Sequence, residues 1–298
     1  MKTFDPLARL RGRLHLPLIA APMFLVSGVE LVVAACSHGV IGSFPTANCR
    51  SAEELDGWLT EIDTRLQRQA DACGKATAPV CANLIVHRSN LRLADDLAVL
   101  LRHAPELVIT SVGSPEPVLA PLHEAGADGL VLLTAGAGGQ TGWLNPFAFV
   151  RGVRQFFEGP IVLAGGISDG HALRAAQALG CDLAYMGTKF IATQESMADP
   201  RYKAMLVESS ADDVLLTRAF TGLQTNMLRP SIVAAGLDPD ALPERGAIDI
   251  AKDIDVGARA NRPARWKDIW SAGHSTSGVD AVLPVAELIG RTAIEYRG

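Results

Sequence analysis

Gly159-Pro160-Ile161-Val162-Leu163-Ala164-Gly165-Gly166-Ile167-Ser168-Asp169 is followed, one helix-length spacer later, by Leu183-Ala184-Tyr185-Met186-Gly187-Thr188-Lys189-Phe190. Each piece is a short apolar run that ends in small residues. The pattern predicts two buried parallel strands, 161–164 and 183–190, each closing on a turn with bare backbone N–H groups. Small residues there let a ligand approach the main chain, and a helix starting just beyond adds a field that favours an anion. Barrels of alternating strands and helices commonly hold a phosphate between two such neighbouring tips. The plainer alternative is two tight turns with no ligand.

Outward from this pair the same alternation continues. Residues 16–21 read as a β-rich run stopped by Pro22, 28–37 as a small-residue helix and 40–44 as a second strand. Ser51 with Glu54 three places on forms a capping-box pattern. It opens a helix whose apolar face is Leu55, Trp58, Leu59, Ile62 and Leu66. Strands follow at 79–86, 107–112 and 130–134, with a leucine-rich helix (Leu93, Leu97, Leu100, Leu101) before the second of these. Ser114-Pro115-Glu116 supplies a cap, a first-turn proline and an acid for the next helix, and Asn145-Pro146 starts another. Ser168 is the expected cap of a helix with Ala172, Leu173, Ala176 and Leu179 on its inner face.

Seven strands alternating with helices over roughly 190 residues predict an all-parallel sheet. No strand leads into G-x-G-x-x-G and no G-x-x-x-x-G-K-[ST] occurs, so neither a dinucleotide fold nor a P-loop ATPase has motif support. A closed (β/α) barrel, active where its strands end, is the better reading. Residues 1–194 form this barrel, and 195–262, where the pattern weakens, read as an insertion or lid over the mouth. Residues 263–298 read as a C-terminal segment whose helix packs back on the barrel.

Composition narrows the partners. The chain has 298 residues, 48% of them hydrophobic, and a formal net charge of −5, which argues against nucleic acid and anionic membranes. Its five cysteines include no C-x-x-C pair, so neither a zinc site nor a disulfide framework is expected and a reducing cytoplasm fits. Arg9, Arg11 and Arg13 before an apolar run ending at Cys36 mimic a lipoprotein signal. Pro17, Pro22 and Glu30 interrupt that run, and no other stretch reaches the ~18 apolar residues of a membrane span. A small-molecule substrate is the expected partner, and a homodimer is a compatible assembly.

Six strand ends converge on candidate ligand groups: Ala21-Pro22-Met23, Asn83, Ser111-Val112-Gly113, the glycine-rich run 136–142, Gly165-Gly166 and Met186-Gly187-Thr188. Most offer backbone rather than titrating side chains. Such a set suits a large planar cofactor held by its edges and phosphate. No cluster has metal-ligand spacing, and no G-x-S-x-G nucleophile elbow occurs.

In Leu18-Ile19-Ala20-Ala21-Pro22-Met23, Asn83-Leu84, Ala137-Gly138-Gly139, Ala164-Gly165-Gly166-Ile167, Tyr185-Met186-Gly187-Thr188-Lys189-Phe190, Thr221-Gly222 and Trp270-Ser271-Ala272-Gly273, the sequence resembles the nitronate monooxygenases. The resemblance covers nearly the whole chain. It implies a TIM-type barrel with non-covalent FMN that oxidises alkyl nitronates with O₂. Ala21, Pro22 and Met23 would line the flavin ring and Asn83 would bond its edge. Gly138, Gly165, Gly166, Met186, Gly187 and Thr188 would hold ribityl and phosphate, with Ser111 and Tyr185 also at the cofactor.

Two departures from that family matter. Gln140 stands where the family carries a histidine over the flavin, and Leu133 replaces a usual glutamine. Gln140 hydrogen-bonds but takes no proton near neutral pH, and general-base catalysis is typically worth about 10²–10⁴-fold. Nitronates, already anionic, are therefore the expected substrates in preference to neutral nitroalkanes. The second departure is a missing βα unit, since only seven of eight strands are recognised. The gap falls between Val112 and Leu130, with residues 217–220 a candidate to fill it.

His87, beside Asn83, and His274, reaching across the mouth, are further catalytic candidates; Lys189 is expected to point outward and Cys49 to be inert. Three rivals remain open on sequence: an FMN-dependent NAD(P)H quinone or enoyl-thioester reductase, a catalytically silent flavin-binding relative, and a flavin-free phosphate-sugar isomerase.

Overall fold

The computed structural model describes residues 7–122, 127–243, 245 and 268–298. Helix α1 (Ala8–Arg11) precedes β1 (Leu18–Ala20), α2 (Val29–Ser37), β2 (Ile41–Pro45), α3 (Ala52–Cys73), β3 (Val80–Ile85), α4 (Leu93–His103) and β4 (Leu107–Ser111). Then come α5 (Glu116–Leu122), β5 (Leu130–Leu133), the short β6 (Gly139–Gln140), α6 (Pro146–Val153), β7 (Ile161–Ala164), α7 (Gly170–Leu179) and β8 (Leu183–Met186). Seven of these strands are parallel and ordered β4-β3-β2-β1-β8-β7-β5, a TIM-type barrel wall whose ends are β4 and β5.

The strand period of two sorts the core into layers. Ile19, Ile41, Cys81, Val162 and Leu183 turn inward and pack with one another. Leu18, Ala20, Ala184 and Met186 turn outward onto a second cluster with Leu173 and Val285. Burying each large aliphatic chain contributes about 1.5–3 kcal/mol, so a one-residue slip of any strand would exchange both layers. Val285–Arg297, the C-terminal helix, closes the outer layer against α7 and α2.

Three local expectations are corrected. The run 183–190 is not all strand: β8 ends at Met186, and Gly187 caps the short helix α8 (Thr188–Ile191), which folds Phe190 into the outer core. Asp169, not Ser168, caps α7; its carboxylate accepts the Ala172 amide at 2.7 Å, and the helix starts one residue later than the serine could serve. Residues 217–220 lend no strand to the gap. After α9 (Pro200–Glu208), β9 (Val214–Thr217) pairs antiparallel with β10 (Thr225–Leu228), and β10 pairs with β6, making a separate three-stranded sheet before α10 (Arg229–Ala234). The boundary expected at residue 262 lies outside the described residues. Among the described residues no helix is long and apolar enough to cross a membrane.

Arg154 ties the starts of the two deciding strands together. Its guanidinium donates to the carbonyls of Gly180 at 2.8 Å and Gly159 at 2.6 Å, and to Asp182 Oδ2 at 2.7 Å. The same carboxylate oxygen accepts the Ile161 amide at 3.0 Å. Removing one partner of such a half-buried network leaves the others unpaired. Arg154→Ala is expected to lower stability by about 2–4 kcal/mol in urea unfolding; a loss under about 0.5 kcal/mol, the range of an ordinary surface substitution, would contradict this assignment.

Candidate active site

A cavity of about 520 Å³ opens where the strands end. At its first wall, the turn after β1 is fixed by side chains that sequence reading missed. Ser27 Oγ donates to the Ala21 carbonyl and accepts the Met23 amide, and Asn48 Nδ2 donates to the carbonyls of Met23 and Ser27 at 3.0 and 2.8 Å. Ala21, Pro22 and Met23 border the cavity from this turn. Their polar supports lie later in the chain or outside the quoted motif, so only the pattern of a polar residue after a strand could have flagged them.

Asn83 is buried on β3 and borders the cavity. Its Nδ2 donates to the Ile109 carbonyl at 3.2 Å and to Ser111 Oγ at 3.0 Å, across to β4. Its Oδ1 lies 3.4 Å from the same Ser111 hydroxyl and keeps a second lone pair for a ligand. Tyr185 borders the cavity from β8, with its hydroxyl buried and without a partner. Burial raises the pKa of that phenol well above its ordinary value.

The glycine-rich run after β5 interlocks with Ala272-Gly273. A β-carbon on Gly138 would stand 2.7 Å from the Gly273 amide nitrogen, and one on Gly273 would stand 2.6 Å from the Gly136 carbonyl oxygen. The His274 amide donates to Gly136 O at 2.9 Å, and Asn226 Nδ2 on β10 donates to Ala137 O at 2.8 Å. The Gly273 amide in turn donates to Thr188 Oγ1 at 3.0 Å, which leaves that hydroxyl's own proton for another acceptor. Gly165 sits at φ +134° with Thr134 Oγ1 only 2.4 Å from where a β-carbon would be. At Gly166 the same position is open space, and its amide makes no hydrogen bond among the described residues.

The structure thus brings Ala21, Pro22, Met23, Asn83, Ser111, Gly138, Gln140, Gly165, Gly166, Tyr185, Gly187 and Thr188 to one cavity. Three expected residues are elsewhere. Met186 is fully buried on the outward row of β8, because the pleat turns it away from Tyr185. His87 binds Ser89 Oγ through Nδ1 at 2.8 Å and does not border the cavity. His274 is exposed, held by its own amide against Gly136, and does not border the cavity either. Lys189 donates to the Gly278 carbonyl. Cys49 is buried, and burial pushes its thiol up to about 12, so it stays protonated. Residues of 195–243 and 268–298 also contribute: Tyr202, whose hydroxyl donates to Ser271 O and whose ring stacks on Trp270, and Thr221, Leu223 and Thr225 beside β10.

Among the described residues that border the cavity there is no Asp, Glu, Lys, Arg or His. An anion there meets amides and hydroxyls instead of cations.

Residues 101–293 match the family model for nitronate monooxygenase. The chain belongs to the nitronate monooxygenase family. Members are flavin-dependent oxidoreductases that act on small molecules. A nitronate monooxygenase of Paraburkholderia phytofirmans is 29% identical over 341 aligned residues, covering 94% of this chain and 92% of that relative. FabK from Thermotoga maritima superposes with a TM-score of 0.77 at 22% identity over 99% of this chain and 97% of its own. A nitroalkane oxidase from Streptomyces ansochromogenes gives 0.75 at 22% identity, covering 98% of both chains.

Gly165→Ala adds a clash to a forbidden φ and is expected to cost roughly 2–4 kcal/mol, lowering the melting temperature of flavin-free protein by about 5–10 °C. Gly166→Ala meets only the backbone penalty and should lose about 1 kcal/mol. Equal losses at the two positions would contradict the geometry described.

Proposed function

We propose that this chain binds FMN at the mouth of the barrel and oxidises alkyl nitronates with O₂, preferring the anion to the neutral nitroalkane. The observation that carries this reading is the absence of any charged or histidine side chain among the described residues bordering the cavity. A neutral nitroalkane must lose a carbon-bound proton to a base, and no such base is among those bordering residues; a nitronate needs only orientation and stabilisation of its charge.

The residues fit the cofactor. The free Gly166 amide and the Thr188 hydroxyl proton suit the phosphate, Tyr185 and Ser111 offer hydroxyls deeper in the cavity, and Ala21-Pro22-Met23 supply an apolar wall for the ring. Bound FMN would supply a redox centre that accepts electrons from the substrate and returns them to O₂. Gln140 is exposed on β6, and its side chain makes no hydrogen bond among the described residues. Its amide N–H groups can therefore orient the two nitronate oxygens. His87 and His274 have no role in this reading. The segment that begins after Gln194 and carries β9 and β10 serves as the cover that keeps water from the ring. Buried thiols at Cys36, Cys49, Cys81 and Cys181 suit a reducing cytoplasm.

In aerobic steady-state assays, kcat/KM for a primary alkyl nitronate should exceed that for the parent nitroalkane by at least about 10²-fold, the usual worth of the missing base. Gln140→His should narrow the gap by raising nitroalkane turnover alone. Comparable rates on both substrates in the unaltered enzyme would refute the reading, and bleaching of the flavin by NADH but not by nitronate would move it to a reductase.

The pH dependence follows from the same absence. Tyr185 and Tyr202 both have pKa values raised by burial, so they stay neutral and hydrogen-bonding below their ordinary value of about 10. The nitronate kcat/KM profile should be flat from about pH 6 to 9, with no limb near the histidine value of about 6.5. A limb in that window would mean that a histidine acts.

A further inference from the structure

The C-terminal segment crosses the tips of β7 and β8. After Gly273 the chain makes a short 3₁₀ turn, His274–Gly278. Its start is fixed at the ends of β5 and β8. The His274 amide donates to the Gly136 carbonyl at 2.9 Å, and the Gly273 amide just before it donates to Thr188 Oγ1 at 3.0 Å. Its end is fixed at α8 and beyond β7. Lys189 donates to the Gly278 carbonyl, and a β-carbon on Gly278 would stand 2.9 Å from Ser168 Cβ, two residues past Gly166. A third tie comes from the Ala211 amide, which donates to Ser277 Oγ at 2.7 Å. The turn is thus a bridge from the tip of β8 to the tip of β7, held at both ends.

Ser275 is the residue of this bridge that borders the cavity, as Gly166 and Thr188 do. It is 8% exposed, and its hydroxyl makes no hydrogen bond among the described residues. The neighbouring hydroxyls are placed differently. Ser277 Oγ accepts an amide outside the cavity, and Thr276 Oγ1 is sealed within the protein without a partner. Ser275 alone of the three presents an unpaired hydroxyl to the cavity, and a buried hydroxyl is favoured by any ligand that brings it an acceptor.

Charge selects the group that would fill this role. Among the described residues no cation borders the cavity, and Lys189 is turned to the far end of the bridge. A phosphate at the strand tips must therefore be held by neutral donors. Its terminal oxygens accept more bonds than one amide at Gly166 and one hydroxyl at Thr188 can give. A donor on the bridge faces it from the side that the barrel strands do not reach.

We propose that the Ser275 hydroxyl donates to the cofactor's phosphate, so that the C-terminal segment closes a cradle which the tips of β7 and β8 leave open. The inference deepens the FMN reading and rests on it for the phosphate.

The test is calorimetric titration of flavin-free protein with FMN and with riboflavin, which shares the ring and ribityl chain. Ser275→Ala should weaken FMN at least about tenfold, the worth of a hydrogen bond to a charged group, and riboflavin less than about twofold. Ser277→Ala, which loosens the same turn from outside the cavity, should change both flavins by one factor. A smaller FMN loss in S275A, or an equal loss of riboflavin, would overturn the assignment. An FMN-selective loss in S277A as large as that in S275A would trace the effect to the placement of the turn and also overturn it. Unaltered protein that binds FMN no better than riboflavin would remove the phosphate reading and Ser275 with it. Unaltered protein that prefers FMN, with the preference intact in S275A, would remove Ser275 alone.

Discussion

Backbone packed directly on backbone is the constraint on which the mouth of this barrel depends. Where the loop 136–139 crosses Gly273 there is no room for a β-carbon on either side. That contact lets the Gly273 amide donate to the Thr188 hydroxyl and the His274 amide to the Gly136 carbonyl, so the ends of β5 and β8 are tied to the C-terminal segment by backbone amides. Such bonds need no charged partners. They leave a cavity whose polarity comes from amides and hydroxyls, the groups that the proposed phosphate-bearing cofactor would meet.

The same feature sets the division of labour in the chemistry. With no charged or histidine side chain among the described residues that border the cavity, the proposed function has the site hold a carbanion that arrives already formed and not generate one from a neutral carbon acid. Under the proposed function, Gln140, whose side chain makes no hydrogen bond among the described residues, would offer its amide protons to a planar anion. Among the elements after Gln194, β10 carries Asn226 onto the glycine loop and brings Thr225 beside Gln140.

Much of this was legible in the chain. The run 159–169 and its partner announced two parallel strands with bare tips because apolar period, small residues and helix start all agree there. The seven-strand count also held: the parallel sheet has seven strands, and between Val112 and Leu130 the described residues hold one short helix, Glu116–Leu122, and no strand. What sequence could not give was orientation at the ends of elements. Met186 and Tyr185 are adjacent and equally apolar in the motif, and only the register of β8 decides which one sees the lumen. His87 and His274 sat in the right segments but are held away by Ser89 and by Gly136. Ser27, Asn48 and Asn226 were invisible because each acts on a loop to which no local pattern connects it.

The central claim is that the tips of β7 and β8 bind a phosphate through backbone and hydroxyl groups. Its most direct test compares FMN with riboflavin, which lacks only the phosphate, in fluorescence-quenching titrations of the flavin-free protein. Charge-assisted hydrogen bonds of about 1.5–3 kcal/mol each predict that FMN binds at least about 10²-fold more tightly. Equal affinity for the two flavins would contradict the account, because the strand tips would then not be holding the phosphate.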